Sequence, residues 1–175
     1  AFTFNLGSDN TMLGAGAEAS GDGIANSIAI GKDARITGNN QVRLGNTFTT
    51  SIGGVVGFTN LSDGRYKKEI KEDIKGLEFI KRLKPVSYII DVPALDKYYH
   101  QNDDPSLKSV SVNNEWQRAA YQKASTKRET GFIAQEVEAT AKQLGFDFSG
   151  VDAAKNENDT YGLRYAEFVV PLVKA

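Results

Sequence analysis

Apolar residues in the first third of the chain return in short alternating runs, each closed by glycine or asparagine. The stretches Ile28–Gly38 and Gln41–Asn46 are near-copies of one pattern, two or three alternating residues and then a turn, and Leu13-Gly14-Ala15-Gly16 falls beside them. Strands this short do not stand alone, so they predict rungs of a repetitive β structure whose core is completed by neighbouring rungs or neighbouring subunits. A flexible spacer would have no use for Ile28, Ile30, Ile36, Val42 and Leu44 in register. Residues 47–60 are β-prone, but Gly53, Gly54 and Gly57 loosen them into an extended connector.

Beyond Asp63 the apolar spacing lengthens. Ile74, Leu77, Ile80 and Leu83 predict a helix capped by Asp73 and ended by Pro85, followed by a strand over 86–92 that Pro93 stops. Residues 96–128 are polar and without a sustained period; they read as a surface insertion, with a hairpin over Leu107–Val112 and Gln117–Gln122. Gly131–Ala134 predicts a strand feeding a helix over 135–144, with Ala134, Val137, Ala141 and Leu144 along one side and Gly145 as its stop. Tyr161–Tyr165 predicts a last strand, and 166–175 a helix whose apolar side, Phe168, Val169, Leu172 and Val173, is still running at the final residue, as in a truncated helix. The expected architecture is α+β: a glycine-rich β-stem or β-roll segment over 1–61, then a small mixed α/β domain over 62–175 carrying the insertion 96–128.

Composition narrows the chemistry. In 175 residues that are 40% hydrophobic there is apolar material for one modest core or two small ones. The formal net charge is −1, and the lysines of 67–84 are offset by Glu69, Glu72, Asp73 and Glu78, which argues against a nucleic-acid face. With no cysteine and a single imidazole, His100, disulfides, thiolate chemistry and the common zinc sites drop out; no metal and no cofactor is expected. No apolar run reaches membrane-span length, and no membrane partner is expected. Ala1 reads as an artificial or processing boundary rather than a natural start.

The candidate chemistry lies at the border between the two compositions, in Leu61-Ser62-Asp63-Gly64-Arg65-Tyr66-Lys67-Lys68. A serine hydroxyl needs a base, and a Ser–His–Asp triad would depend entirely on His100, which sits in the polar insertion. Lysine is the other base, provided its ammonium is disfavoured by partial burial or by neighbouring positive charge. Lys67 and Lys68 are adjacent, with Arg65 and Lys71 near, and this density of charge disfavours the ammonium form of one of the two. On the residues alone, Ser62 or Asp63 capping a turn next to a solvated lysine run accounts for the same letters.

Three segments in order carry a resemblance to a known family: Ser62–Ile70 with Leu83-Lys84-Pro85-Val86-Ser87-Tyr88 behind it, Gly131-Phe132-Ile133-Ala134-Gln135-Glu136-Val137-Glu138, and Leu163-Arg164-Tyr165 with the helix it starts. Over Leu61–Ala175 the chain resembles the intramolecular chaperone auto-processing domain of phage endosialidases and tail fibres, the peptidase S74 family. The resemblance implies a homotrimer that registers an upstream β fibre of the same chain, so the amino-terminal segment becomes a trimeric stem, and a single self-cleavage that releases the chaperone. It implies Ser62 as nucleophile, Lys67 as base, Asp63 and Arg65 as partners in the turn, and a cut at Ser62–Asp63. Gly64 is then a backbone donor to the oxyanion, and Gln135 or Glu136 a candidate to orient Lys67 or Arg65, with the polar amino-terminal turn of a helix as an equal account of that pair. Attack by Ser62 Oγ on its own carbonyl would close a four-membered ring, whereas an N-to-O acyl shift would open Leu61–Ser62, and a serine of another subunit could attack without that strain; the cut is expected beside Ser62, with the resemblance favouring Ser62–Asp63. The implied location is a virion tail fibre or a bacterial surface, with the host cytoplasm during assembly if phage-derived. The alternative class is a non-cleaving fibre or adhesin tip that binds a surface receptor or glycan through Tyr98, Tyr99, Trp116 and Tyr121, although packing beneath the insertion is the commoner use of such rings.

Overall fold

The computed structural model describes residues 7–101 and 115–175, and its chain is a small mixed α/β structure of short sheets and helices ending in a C-terminal helix. It divides into two compact units: one from the described residues of Ala1–Ser51, Ser87–Thr130 and Ala154–Thr160, the other from Ile52–Val86, Gly131–Ala153 and Tyr161–Ala175.

In the first unit the expected rungs form. Strands β1 (Thr11–Leu13), β3 (Ile28–Ile30) and β5 (Val42–Leu44) stack as a parallel sheet in the order β1-β3-β5, while β2 (Glu18–Ala19) pairs in parallel with β4 (Arg35–Ile36). The second coil therefore lays a three-residue and a two-residue strand on the first, and β5 adds a third three-residue rung. The turns before and between the strands take the left-handed region at Asp9, Asn26, Asp33 and Asn40, a conformation that Asn and Asp tolerate best among residues with a side chain. Their amides also link coil to coil: Asn26 Nδ2 donates to Asn40 Oδ1 at 2.7 Å, and Asn39 Oδ1 accepts from Ala25 N at 2.9 Å. Inside lie Ile24, Ala29, Ala34 and Ile36, with Met12, Ala17 and Ala19 packed against them. Small residues are needed there because so tight a coil has little interior volume.

The same unit contains most of β6 (Val86–Ile89), which pairs with β7 (Arg128–Gly131), and two helices, α2 (Val92–Tyr99) and α3 (Glu115–Ala124). Both helices correct the sequence reading. Pro93 does not stop a strand; it occupies the first turn of α2, where its missing N–H costs nothing, and Asp91 caps that turn by accepting from Ala94 N at 2.9 Å. The expected strand 117–122 is instead helical, because Glu, Gln, Arg, Ala and Lys in that stretch are strong helix formers. The other half of that hairpin, 107–112, lies outside the described residues.

The second unit is built on a ring-rich core. Phe79, Val137, Ala141, Phe148 and Phe168 are buried together, with Phe132, Leu144, Phe146, Val151 and Leu163 packed around them. Here α4 (Ala134–Gln143) forms as expected, presenting Ala134, Val137 and Ala141 inward, and Gly145 ends it at φ +58. The helix expected from Asp73 is reduced to one turn, α1 (Leu77–Ile80), because Gly76 sits against α5 (Val169–Lys174). A Cβ at Gly76 would come 2.6 Å from the carbonyl carbon and oxygen of Lys174, so glycine is required and the chain turns there. The strand expected over 131–134 is displaced to β7, and the one over 161–165 shortens to β9 (Gly162–Leu163), paired with β8 (Val151–Asp152). A 3-10 turn over Tyr165–Phe168 leads into α5.

Candidate functional site

Residues 51–62 run without helix or strand and are exposed throughout, so the polar cluster begins on an open stretch of backbone. The chain then tightens into a single 3-10 turn, Gly64–Tyr66, with Asp63 as its cap. Asp63 Oδ1 accepts from Arg65 N at 3.0 Å, and the carboxylate also receives Nε and Nη2 of the Arg65 side chain, at 3.0 and 2.6 Å. Two backbone bonds close the turn, Tyr66 N to Asp63 O at 3.1 Å and Lys67 N to Gly64 O at 3.2 Å. One carboxylate thus satisfies both a main-chain donor and a planar guanidinium, a paired geometry that lysine in place of Arg65 would not reproduce. The hydrogen bonds from the Arg65 side chain, and then from its backbone, hold the Asp63 carboxyl below its ordinary range, and the same pairing pushes Arg65 up.

The turn reverses the chain just enough for Lys67 to reach back. Its Nζ lies 2.8 Å from Ser62 Oγ and donates to it. The structure thus brings together the two residues predicted to act as base and nucleophile, and it pairs Asp63 with Arg65 between them. Ser62 and Lys67 are both exposed. Among the described residues, Gly64 N–H takes no part in the turn's own hydrogen bonds.

Gln135 and Glu136 are not brought in. Among the described residues neither side chain bonds to Lys67 or Arg65; both are exposed in the first turn of α4, where Glu136 complements the positive end of the helix. His100 belongs to the other unit and lies 2.9 Å, through Nδ1, from Arg35 Nη1, with Asp96 3.8 Å from its Nε2. The tyrosines of the alternative reading have internal partners: Tyr98 OH donates to Glu157 O at 2.5 Å, Tyr99 OH bonds Thr160 Oγ1 at 3.2 Å, and Tyr121 OH donates to Asp96 Oδ2 at 2.6 Å. Burial and the adjacent Asp96 push the Tyr121 phenol up. No grouping of metal-binding side chains occurs among the described residues, and no described helix is long and apolar enough to cross a membrane.

One charged residue escaped the sequence reading. The Asp159 side chain is 3% exposed, and its Oδ1 accepts from Thr37 Oγ1 at 2.6 Å, with Arg43 Nη2 at 3.5 Å. Burial raises this carboxyl, but the hydrogen bonds from Thr37, Lys155 N and Thr160 N, together with the Arg43 charge, outweigh burial and hold it below the usual carboxylate range. A depressed carboxyl stabilises the fold in its ionised form. That contribution is fully present above the unfolded value, about 3.9 for Asp, and is lost as pH falls through the lower folded value. The melting temperature followed by circular dichroism is expected to fall on acidification through this range, and the Asp159→Asn chain, already less stable at neutral pH, to fall less.

No family model, no curated protein and no solved structure matches the chain.

Proposed function

We propose that this chain is an assembly module that trimerises, sets the register of the β rungs ahead of it, and then cuts its own backbone once beside Ser62, using Lys67 as base. The observation that carries the reading is the 2.8 Å approach of Lys67 Nζ to Ser62 Oγ across a turn fixed by Asp63 and Arg65. Hydroxyl and amine are within proton-transfer distance, and the backbone next to them is extended and open to attack.

In the free chain Lys67 donates to Ser62; to act as a base it must lose a proton and accept. Desolvation favours the neutral amine, and a covering surface would supply it. The chain has apolar residues in want of such cover. Val55, Val56, Phe58 and Leu61, ahead of the serine, are 83–106% exposed, and Val169, Val170, Leu172 and Val173 on α5 are 53–83% exposed. Exposed apolar side chains in such number mark an interaction site, and packing further copies of the chain against Leu61 and its neighbours would dry the adjacent Ser62–Lys67 pair. Cleavage then follows assembly. Register matters because rungs of two or three residues are weakly specified on their own, so an autonomous module that aligns three chains before the rungs propagate solves a real folding problem. Cutting the covalent link afterwards makes the aligned assembly hard to undo. The setting that fits is a tail fibre or a cell-surface stem.

In the reaction, Ser62 Oγ gives its proton to Lys67 and adds to a neighbouring carbonyl. The C–N bond breaks, the amine leaves with the proton from Lys67, and water hydrolyses the resulting ester. Incubation of the purified chain followed by intact-mass measurement tests this: two fragments should accumulate from the unmodified chain and be missing from Ser62→Ala and Lys67→Ala. Cuts at Leu61–Ser62 and at Ser62–Asp63 differ by the mass of one serine residue, so the same spectrum assigns the bond. Fragments that persist in either variant defeat the proposal. The alternative of a glycan-binding tip draws no support from Tyr98, Tyr99 and Tyr121, whose hydroxyls are engaged within the chain.

A further inference from the structure

The rung stack is gripped by residues far downstream of it. At the turn between β4 and β5 Gln41 Oε1 accepts from Thr37 N at 2.9 Å and Gly38 N at 3.1 Å, which shapes the backbone so that the Thr37 hydroxyl points at Asp159. Thr37 Oγ1 donates to Asp159 Oδ1 at 2.6 Å, Gln41 Nε2 and Arg43 Nη2 approach the same oxygen at 3.5 Å, and Asn156 Nδ2 donates to Thr37 O at 2.8 Å. Thr37, Gln41 and Asp159 are all buried. Helix α2 braces both sides of this contact. Its Tyr98 hydroxyl donates to the carbonyls of Glu157 and Asp159, and Arg35, ion-paired to Glu18 at 2.9 Å, reaches His100 Nδ1 at 2.9 Å. Past the last rung, Thr47 Oγ1 donates to Asp96 Oδ1 at 3.1 Å and Phe48 meets the Tyr121 ring edge-on at 4.7 Å. Several of these contacts, those of Thr37, Gln41, Arg43, Arg35, Thr47 and Phe48, join a residue before the open stretch 51–62 to one well after it. None of them depends on the backbone that runs between.

We infer that α2 and the 155–160 segment form a binding surface for the rung stack, strong enough to hold the amino-terminal piece of this same chain after the backbone between them has been broken. A charged acceptor buried with three donors is the anchor: if the pieces parted, Thr37 and Gln41 would lose their partner and Asp159 its compensation, so separation costs more than the contact area implies. The biological meaning rests on the self-cleavage proposed above, since a cut beside Ser62 would then not by itself release the downstream module. The physical content does not rest on it.

The test therefore uses an introduced cut. In a Ser62→Ala chain carrying an amino-terminal affinity tag, the recognition sequence of a site-specific protease is inserted between Gly53 and Gly54, where the backbone is exposed and a side chain at Gly53 would meet nothing. After complete cutting, verified under denaturing conditions, the tagged piece is captured in native buffer and washed. Both pieces should be retained in equal amounts. Asp159→Asn and Thr37→Val, each checked by circular dichroism before cutting, should weaken retention by roughly 10- to 100-fold in dissociation constant, the usual scale for a buried hydrogen bond to a charge; Thr37→Val serves if Asp159→Asn does not fold. Loss of the downstream piece in the wash from the otherwise unmodified chain overturns the inference. So does undiminished retention in the folded variants.

Discussion

Replacing Lys67 with arginine is expected to stop cleavage beside Ser62 while leaving the fold as it is. The substitution keeps the positive charge and a donor able to reach Ser62 Oγ, so a lysine that merely holds the turn would be replaced without loss. A guanidinium, however, does not give up its proton in proteins. It cannot take one from a serine. General-base catalysis contributes about 10²- to 10⁴-fold, so fragment formation by Lys67→Arg should fall at least about 100-fold below the unmodified chain in the same incubation, with an unchanged circular dichroism spectrum. Equal rates would reduce Lys67 to a turn-holding residue and end the reading of it as a base.

The largest effect on stability is expected at Phe79. Its side chain is fully buried; the ring meets Phe146 edge-on at 5.2 Å and lies tilted on Phe148 at 4.9 Å, and Phe148 in turn packs edge-on against Phe168 at 4.8 Å. Removing it leaves a ring-sized void among side chains that come from α1, α4, the 146–148 segment and the 3-10 turn before α5. Helix α1 has one turn and no stability of its own, so Phe79 is what fixes it to the unit. Phe→Ala in such a core costs about 3–5 kcal/mol, a large share of the roughly 5–15 kcal/mol that a domain has. Urea unfolding of Phe79→Ala should show a loss of that size. A loss under about 1 kcal/mol would mean that the aromatic cluster is not the core of this unit.

The rungs were legible because their signal repeats: the same two-residue alternation, closed by Gly or Asn at fixed distance, occurs in successive coils, and each copy supports the others. Helix α4 was legible for a similar reason, with Val137 and Ala141 four apart and Gly145 to end it. Helix α2 was hidden because proline has two meanings. It terminates a strand and it opens a helix, and only the Asp91 cap separates the two. The one-turn α1 was overextended because its apolar spacing runs straight through Gly76, and the constraint there comes from the backbone of α5, nearly a hundred residues away in the chain. At the candidate site the sequence carried the serine, the lysine and their five-residue spacing, while the Asp63–Arg65 lock that lets them meet emerges from side-chain geometry. Asp159 left no local trace. Its side-chain partners Thr37, Gln41 and Arg43 are 122, 118 and 116 residues away, and nothing in the run 154–160 marks one acid as buried.

The most direct test of the central claim is the intact mass of the unmodified chain, followed over time after purification. Two products are expected whose masses add up to the parent plus one water, with the boundary on one side of Ser62, and at a rate that rises with chain concentration because assembly must come first. A single undiminished parent mass at every concentration would contradict that claim.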